Sequence, residues 1–260
     1  MDLEATRGAI LRGFRARGRV LVAYSGGVDS GLVAKLAHDA LDGGALAVIA
    51  DSESLSRREL GEATAGADEI GIPLRVVPVS ELESPAYAAN PVNRCYFCRA
   101  GLGGVLSDLA AAEGFRAIAD GVNLSDLGDV RPGIRAMDEA GFWHPLVEFG
   151  LAKADVRALA RSVGLSFWDK PSNACLSSRI PHGTAITLDL LRRVEAAEDY
   201  VRGRGFRQVR VRHEGTTARI EVPPEDIPRL LDLRGEIESA IVGLGYRQAV
   251  VDPVGYRGLG

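Results

Sequence analysis

With 260 residues, 46% of them hydrophobic and 25% charged, the chain is long enough for one substantial α/β domain and a smaller second one, and disordered or fibrous classes are excluded. Its 31 basic and 35 acidic residues leave a net charge of −4, so no global field binds nucleic acid by phosphate neutralisation, and any polyanion site must be local. Three cysteines are too few for a disulfide scaffold and suit a reducing compartment where thiols serve metals or chemistry.

The first residues, with Asp2 and Glu4 among several arginines and no central apolar segment, read as the opening helix of a cytoplasmic protein rather than a secretory signal. No stretch approaches the roughly 20 apolar residues of a membrane helix. Leu3, Ile10, Leu11 and Phe14 recur at helical spacing; Arg19 to Tyr24 is a β-branched run that ends in Ser25-Gly26-Gly27. The spacing then predicts a helix over 32–41, a buried strand over 45–50, a helix over 56–70 and a strand over 74–79. A polar, Pro-bearing loop (84–94) precedes a helix from about 97 to 113, a strand over 117–120 and a helix over 153–163 that stops at Gly164. Alternating strand and helix predicts a parallel sheet. Past Ser172 the pattern changes to a helix over 187–204, a hairpin of 208–212 and 218–222, a helix over 227–244 and a last strand over 248–252. The expected fold is therefore a parallel-sheet α/β domain over 1–170 and a smaller C-terminal α+β domain over 171–260, divided in Asp169-Lys170-Pro171-Ser172. Lysine stands only at 35, 153 and 170 against 28 arginines, a bias that reads as base composition.

Ser25-Gly26-Gly27-Val28-Asp29-Ser30 follows a strand and opens a helix. The glycines permit positive φ and close approach of a ligand, while the helix-start amides and the hydroxyls of Ser25 and Ser30 offer donors to phosphate oxygens. Gly31 is followed by Leu32, so the lysine of a Walker loop is missing, and the dinucleotide pattern fails too. Ser-Gly-Gly-x-Asp-Ser resembles the pyrophosphate loop (PP-loop) of the ATP pyrophosphatase superfamily. That resemblance implies an adenine nucleotide α-hydrolase-like fold that binds ATP, adenylates a carboxylate or carbonyl oxygen and releases pyrophosphate. Asp29 is expected to help hold Mg²⁺, which suits one carboxylate plus phosphate oxygens. Ala50, Asp51 and Ser52 close the second strand and Gly121, Asn123 and Asp126 follow the fourth; as ligands of parallel sheets sit at carboxyl ends of strands, these loops are expected to converge on the adenine side of Gly26.

Cys95-Tyr-Phe-Cys98 puts two thiols on one side of a tight loop or first helical turn, and Cys175 follows much later. Three readings stand on the residues alone: a zinc site completed by His182, three ligands of a [4Fe–4S] cluster with one open iron, or a redox disulfide between Cys95 and Cys98. His38, His213 and Trp168 read as structural groups, and Trp143 and His144 as neighbours of the active site.

A wider resemblance follows from Asp129-Val-Arg131-Pro132-Gly133-Ile-Arg135-Ala136, Lys153-Ala-Asp155-Val-Arg157-Ala-Leu-Ala and Lys170-Pro-Ser-Asn-Ala-Cys175-Leu-Ser-Ser178-Arg179-Ile-Pro181-His-Gly183-Thr. These, with Val209-Arg210-Val211-Arg212 and Gly245-Tyr246-Arg247, are similar to the LarE family. Its members are ATP-dependent sulfur transferases of nickel-pincer cofactor assembly, used in lactate racemase maturation. The resemblance implies adenylation of a carboxylate of pyridinium-3,5-biscarboxylic acid mononucleotide, a small-molecule nucleotide substrate, and replacement of its oxygen by sulfur. One subgroup sacrifices a single cysteine sulfur; the other carries sulfide on a [4Fe–4S] cluster held by a CxxC and one more cysteine. Cys95, Cys98 and Cys175 match the second, with Cys175 and Asp29 as the catalytic residues, while the sulfide donor stays unidentified. The resemblance further implies a homo-oligomer with the small domain at interfaces, and a metal or oligomer contact at Glu198. Arg210 and Arg212, two apart on a strand, project from one face and can grip the substrate phosphate, and Arg179 can contact substrate or ATP. The bland alternative is a solvated face of an edge strand. A PP-loop tRNA thiolase, an ammonia-using amide synthetase and a zinc-stabilised nucleotide-binding module are the competing functions; the net charge weighs against nucleic acid as partner.

Overall fold

The computed structural model describes residues 2–128, 132–171 and 174–256; the Asp129-Val-Arg131 part of one motif and Ser172 and Asn173 of another lie outside the described residues. By their contacts the residues fall into two compact units, Met1–Glu81 with Asn93–Asn173 and Leu82–Val92 with Ala174–Gly260. In chain order the elements are α1 (Leu3–Arg17), β1 (Val20–Ala23), α2 (Val28–Leu41), β2 (Ala45–Asp51), α3 (Arg57–Ile70), β3 (Leu74–Pro78), α4 (Pro85–Ala88), α5 (Arg94–Glu113), β4 (Ala117–Ala119), α6 (Pro132–Glu139), α7 (Pro145–Glu148), α8 (Lys153–Ser162), α9 (Leu188–Arg202), β5 (Arg210–Glu214), β6 (Thr217–Glu221), α10 (Ile227–Asp232), α11 (Arg234–Gly243) and β7 (Gln248–Val251). Among the described residues no helix is long and apolar enough to cross a membrane.

The first unit is built on the parallel sheet β3-β2-β1-β4. Val20 pairs with Ala45 of β2 on one side and Ala117 of β4 on the other, so β1 is central. The period of two divides its side chains: Val20 and Val22 enter a core with Ile10 and Phe14 of α1, Leu32 and Leu36 of α2 and Val156 and Leu159 of α8. Leu21 faces the opposite layer, with Leu106 of α5, Ile118 and Met137 of α6. Helices cover both faces, which explains why the strands read as apolar runs rather than alternating ones. Successive strands run outward from β1 to β3, and β4 is then added on the other side of β1. The reversal puts the topological switch point at the carboxyl ends of β1 and β4, the usual ligand position in such sheets.

Three differences from the expected elements matter. The helix expected from about 97 begins at Arg94, N-capped by Asn93, so the CxxC forms its first turn. Helices α6 and α7 fill a stretch that carried no expected element. The helix expected over 227–244 is two, divided at Leu233 (φ −95°, ψ 4°), which lets Leu230 of one and Ile237 and Ile241 of the other enter a single core.

The second unit carries the sheet β5-β6-β7, with the expected hairpin β5–β6 antiparallel and β7 parallel to β6. Val211, Ala218, Ile220 and Ala249 pack against Ala197 and Val201 of α9 and Ile241 of α11. Residues 82–92 belong here: buried Asn90 donates to the carbonyls of Pro181 (2.8 Å) and Thr184 (2.9 Å), and the Tyr87 hydroxyl meets Ser177 Oγ at 2.6 Å.

Candidate active site

The turn after β1 is set by what surrounds it. Gly26 has φ +71°, and a Cβ there would lie 2.4 Å from Ala63 Cβ of α3. Tyr24, just before the turn, donates its hydroxyl to the Ala63 carbonyl at 3.1 Å, and its burial raises the phenol pKa well above the ordinary value. The carbonyl of Gly26 accepts a hydrogen bond from Lys170 Nζ at 3.1 Å, and the same ammonium pairs with Glu62 at 3.0 Å. Gly27 is the N-cap of α2 and has no side chain to occupy the helix start, so the first amides present partial positive charge to the turn. Ser25 and Ser30 meet across the loop: Ser25 N donates to Ser30 Oγ (3.1 Å), and the two hydroxyl oxygens are 3.0 Å apart. Val28 is buried beneath the turn.

The β4 loop closes on this turn. A Cβ on Gly121 would sit 2.6 Å from Ser30 N, so backbone runs against backbone at the switch point. Asn123 and Asp126 form a capping box of a short 3-10 turn, with Asn123 N donating to Asp126 at 3.1 Å, while Asn123 Nδ2 donates to Asp29 Oδ1 at 3.3 Å. The other oxygen of Asp29 accepts from Lys153 Nζ, from the first residue of α8. Ala50 and Asp51 stand within β2 and Ser52 directly after it; Asp51 is ion-paired with Arg57 and Ser52 Oγ lies 3.4 Å from Ser54 Oγ. The structure thus brings Gly26, Asp29, Ser30, Gly121 and Asn123 together and adds Lys153 and Lys170, which sequence reasoning missed. The signal that marks them is the scarcity of lysine itself.

His144 follows Trp143, which joins the sheet edge beside Ala119 and packs edge-on against Phe14 of α1 (4.7 Å). The imidazole lies between two carboxylates, Asp120 at 2.7 Å and Asp138 at 2.9 Å. Burial disfavours its charge, but the bonds and charges of Asp120 and Asp138 outweigh burial and raise its pKa. A raised histidine contributes stability that is complete below its ordinary value near 6.5 and lost as pH rises through the folded value. Tm is therefore expected to fall by a few degrees on going upward from pH 6, and a His144→Asn variant, melted across the same series, is expected to lack that fall.

Cys95 and Cys98 lie one turn apart on α5, the first exposed and the second half-buried, so both sulfurs stand on one helix face. Cys98 Sγ donates to Glu81 Oε1 at 2.8 Å. Among the described residues no three His, Cys, Asp or Glu side chains gather as a metal site. The two thiols at this spacing are soft donors that fit one edge of an iron–sulfur or zinc centre. In the second unit, Cys175 caps the 3-10 turn Leu176–Arg179, and its carbonyl accepts from Arg179 Nη1 at 3.1 Å.

That unit also holds a cluster of arginines. Arg179, 2% exposed, makes a two-pronged pair with Glu198 (2.8 and 3.3 Å). Glu198 is itself 1% exposed and also accepts from Arg202 (2.8 Å) and Val211 N (3.1 Å), so donors fill both its oxygens. Arg210 and Arg212 lie on the face of β5 opposite the core residue Val211. Arg212 is held by Glu221 (3.1 Å) and the Ser178 carbonyl (2.9 Å). Arg210 lies over the Tyr256 ring at 4.2 Å, and among the described residues no carboxylate pairs with it. At 5% exposure it is no part of a solvated face. Burial pushes its pKa down; the nearby charges of Arg179 and Arg212 add to this against the pull of Tyr256 and Glu221. A buried guanidinium beside two like charges is a strong anion seat.

Comparison with known proteins matches residues 11–91 to the NAD synthase family model. Over 241 residues, an uncharacterised protein of Synechocystis is 47% identical, with 92% of this chain and 90% of that protein covered. The pyridinium-3,5-bisthiocarboxylic acid mononucleotide synthase of Lactiplantibacillus plantarum is 38% identical, over 92% of this chain and 87% of that one. An uncharacterised protein of Methanocaldococcus jannaschii is 25% identical over 92% and 91%.

Proposed function

The chain belongs to the LarE family, that of the pyridinium-3,5-bisthiocarboxylic acid mononucleotide synthase, and from this premise we propose that it is an ATP-dependent sulfur transferase acting on a carboxylate of pyridinium-3,5-biscarboxylic acid mononucleotide. The observation that carries the reading is the Gly26 turn: an uncapped helix start, a positive-φ glycine and the Asp29 carboxylate meet at the sheet's switch point, where a polyphosphate and its cation fit. ATP lies with its phosphates on the amides of Gly27 to Ser30, and the loops ending in Ala50, Asp51, Ser52, Gly121, Asn123 and Asp126 bound the nucleoside. Asp29, with one carboxylate beside phosphate oxygens, is the donor set that Mg²⁺ prefers.

Chemically, a carboxylate reacts poorly because oxide would have to leave. Its oxygen attacks the α-phosphorus of ATP, the bond to the β-phosphate bridge breaks and pyrophosphate departs. Sulfide then adds to the carbonyl carbon, and the carbon–oxygen bond to phosphate breaks, giving thiocarboxylate and AMP. Cys95, Cys98 and Cys175 would hold a [4Fe–4S] cluster, which when bound supplies sulfide through the iron that lacks a cysteine. The substrate phosphate sits on Arg210, with Arg212 and Arg179 contributing charge and Glu198 fixing Arg179. We further propose a cytoplasmic homo-oligomer that uses the second unit at its interfaces.

The test is anaerobic incubation with ATP, Mg²⁺, sulfide and the biscarboxylate nucleotide, followed by pyrophosphate assay and mass measurement of product and protein. Several turnovers with Cys175 intact are expected. Absence of pyrophosphate overturns the adenylation, and a single turnover with sulfur lost from Cys175 overturns the cluster. If reconstitution with iron and sulfide gives no cluster while zinc binds stoichiometrically, iron is wrong. Asp29→Asn is expected to slow pyrophosphate release roughly 100-fold or more, the scale of several kcal/mol of cation stabilisation.

A further inference from the structure

Two of the three lysines in this chain end on the nucleotide loop. In a background of 28 arginines, a lysine marks a position where a compact ammonium does what a flat, forked guanidinium does not. Lys35 has a local partner, Asp39, one turn along α2 at 2.7 Å. Lys170 fixes the Gly26 carbonyl. Lys153 reaches further: its backbone N–H donates to Ser125 Oγ (3.0 Å), tying α8 to the β4 loop, and its ammonium lies on the Asp29 oxygen that Asn123 leaves open.

We propose that Lys153 is the resident counter-ion of Asp29: the ammonium occupies the cation position until nucleotide arrives, and a divalent cation binds Asp29 only together with ATP. The proposal rests on the reading of this loop as the Mg²⁺·ATP site. Asp29 offers a lone cation little. One oxygen is engaged by the Asn123 amide and the other by an ammonium at close range, and the pair is only about a quarter to a third exposed, with side-chain values of 32% for Lys153 and 26% for Asp29. A hydrated Mg²⁺ dehydrates reluctantly, so one carboxylate that must first shed its partner holds it poorly. ATP changes the sum. Its polyphosphate supplies oxygens both to the cation and to the displaced ammonium, and the flexible four-carbon stem of Lys153 lets the charge move from carboxylate to phosphate without moving α8. An arginine in this place would grip Asp29 through two parallel hydrogen bonds and release it less readily.

The experiment uses the whole protein and Mn²⁺ as the probe, with the Mn²⁺ retained by the protein measured by equilibrium dialysis, first without nucleotide and then with ATP on both sides of the membrane so that Mn²⁺ held by ATP alone cancels. The wild type is expected to show no saturable Mn²⁺ binding below millimolar concentration alone and tight binding with ATP. Lys153→Met is expected to bind Mn²⁺ alone roughly tenfold or more tightly than the wild type, the scale of one charged hydrogen bond removed from the carboxylate. Adding Asp29→Asn to Lys153→Met is expected to abolish that gain. Lys153→Arg, which keeps the charge and provides a second folded variant, is expected to show no gain alone and weaker binding of Mn²⁺ with ATP. Equal nucleotide-free affinity in Lys153→Met and wild type, with Mn²⁺·ATP binding intact, overturns the counter-ion role alone. Failure of the wild type to bind Mn²⁺ even with ATP overturns the nucleotide reading and the proposal with it.

Discussion

Gly26→Ala is expected to abolish ATP binding and to lower stability by about 3 kcal/mol. Two costs add. A non-glycine residue at φ +71° pays about 1 kcal/mol for the left-handed backbone, and the new Cβ would overlap Ala63 Cβ at 2.4 Å and Ala63 Cα at 2.8 Å, an overpacking worth about 1–3 kcal/mol. Ala63 has nowhere to go, since it is fully buried in α3 and its carbonyl is held by Tyr24. The loop itself must shift, and a displacement of an ångström removes the helix-start amides from any phosphate they hold. Gly27→Ala is the contrast. There φ is −85° and the nearest neighbour of a Cβ is Ser25 Oγ at 3.5 Å, so it is expected to cost about 1 kcal/mol or less and to keep most of the affinity. Thermal melts and calorimetric titration with Mg²⁺·ATP check both; equal losses in the two variants would sink the steric argument.

Glu198→Ala is expected to be the most damaging single change in the second unit, at about 3–5 kcal/mol. Glu198 accepts from Arg179, Arg202 and Val211 N at 1% exposure, and its removal takes from the equally buried Arg179, whose charge lies near Arg210, the carboxylate that it grips through two hydrogen bonds. Denaturant unfolding gives the stability change, and amide exchange at Val211, whose N–H points at the missing oxygen, is expected to accelerate before the core amides of β6. The double variant Arg179→Met/Glu198→Ala is expected to lose less than the two single losses combined, because it removes both halves of the buried pair. Additive losses would show that Glu198 acts through Arg202 and Val211 instead.

The parts of this molecule that could be read in its residues are those governed by short-range pattern. Val20 to Ala23 forms a β-branched run covered on both faces, Ser25 to Ser30 is a local turn, and both stand where their spacing puts them. The start of α5 differs from the expected one because Asn93, its cap, sits at the end of a proline-bearing stretch that reads as loop, and the three residues the helix gains include Cys95. Long-range polar pairs leave no periodic trace. Lys153 and Asp29 are far apart in the chain, as are Glu81 and Cys98, and neither pairing follows from spacing. The arginines show the same limit from another side: alternation along β5 put Arg210 and Arg212 on one face, whereas burial, which decides what they can bind, depends on Tyr256 and Glu221 arriving from elsewhere.

The excursion of residues 82–92 also imposes a schedule on synthesis. Tyr87 and Asn90 leave the ribosome about 90 residues before Ser177, Pro181 and Thr184, groups to which they bond. At about 5–20 residues per second that is a wait of roughly 4.5–18 s, during which β4 emerges and can join β1. These eleven residues are therefore made well before the part of the second unit that they pack with, while the sheet around β1 can already form.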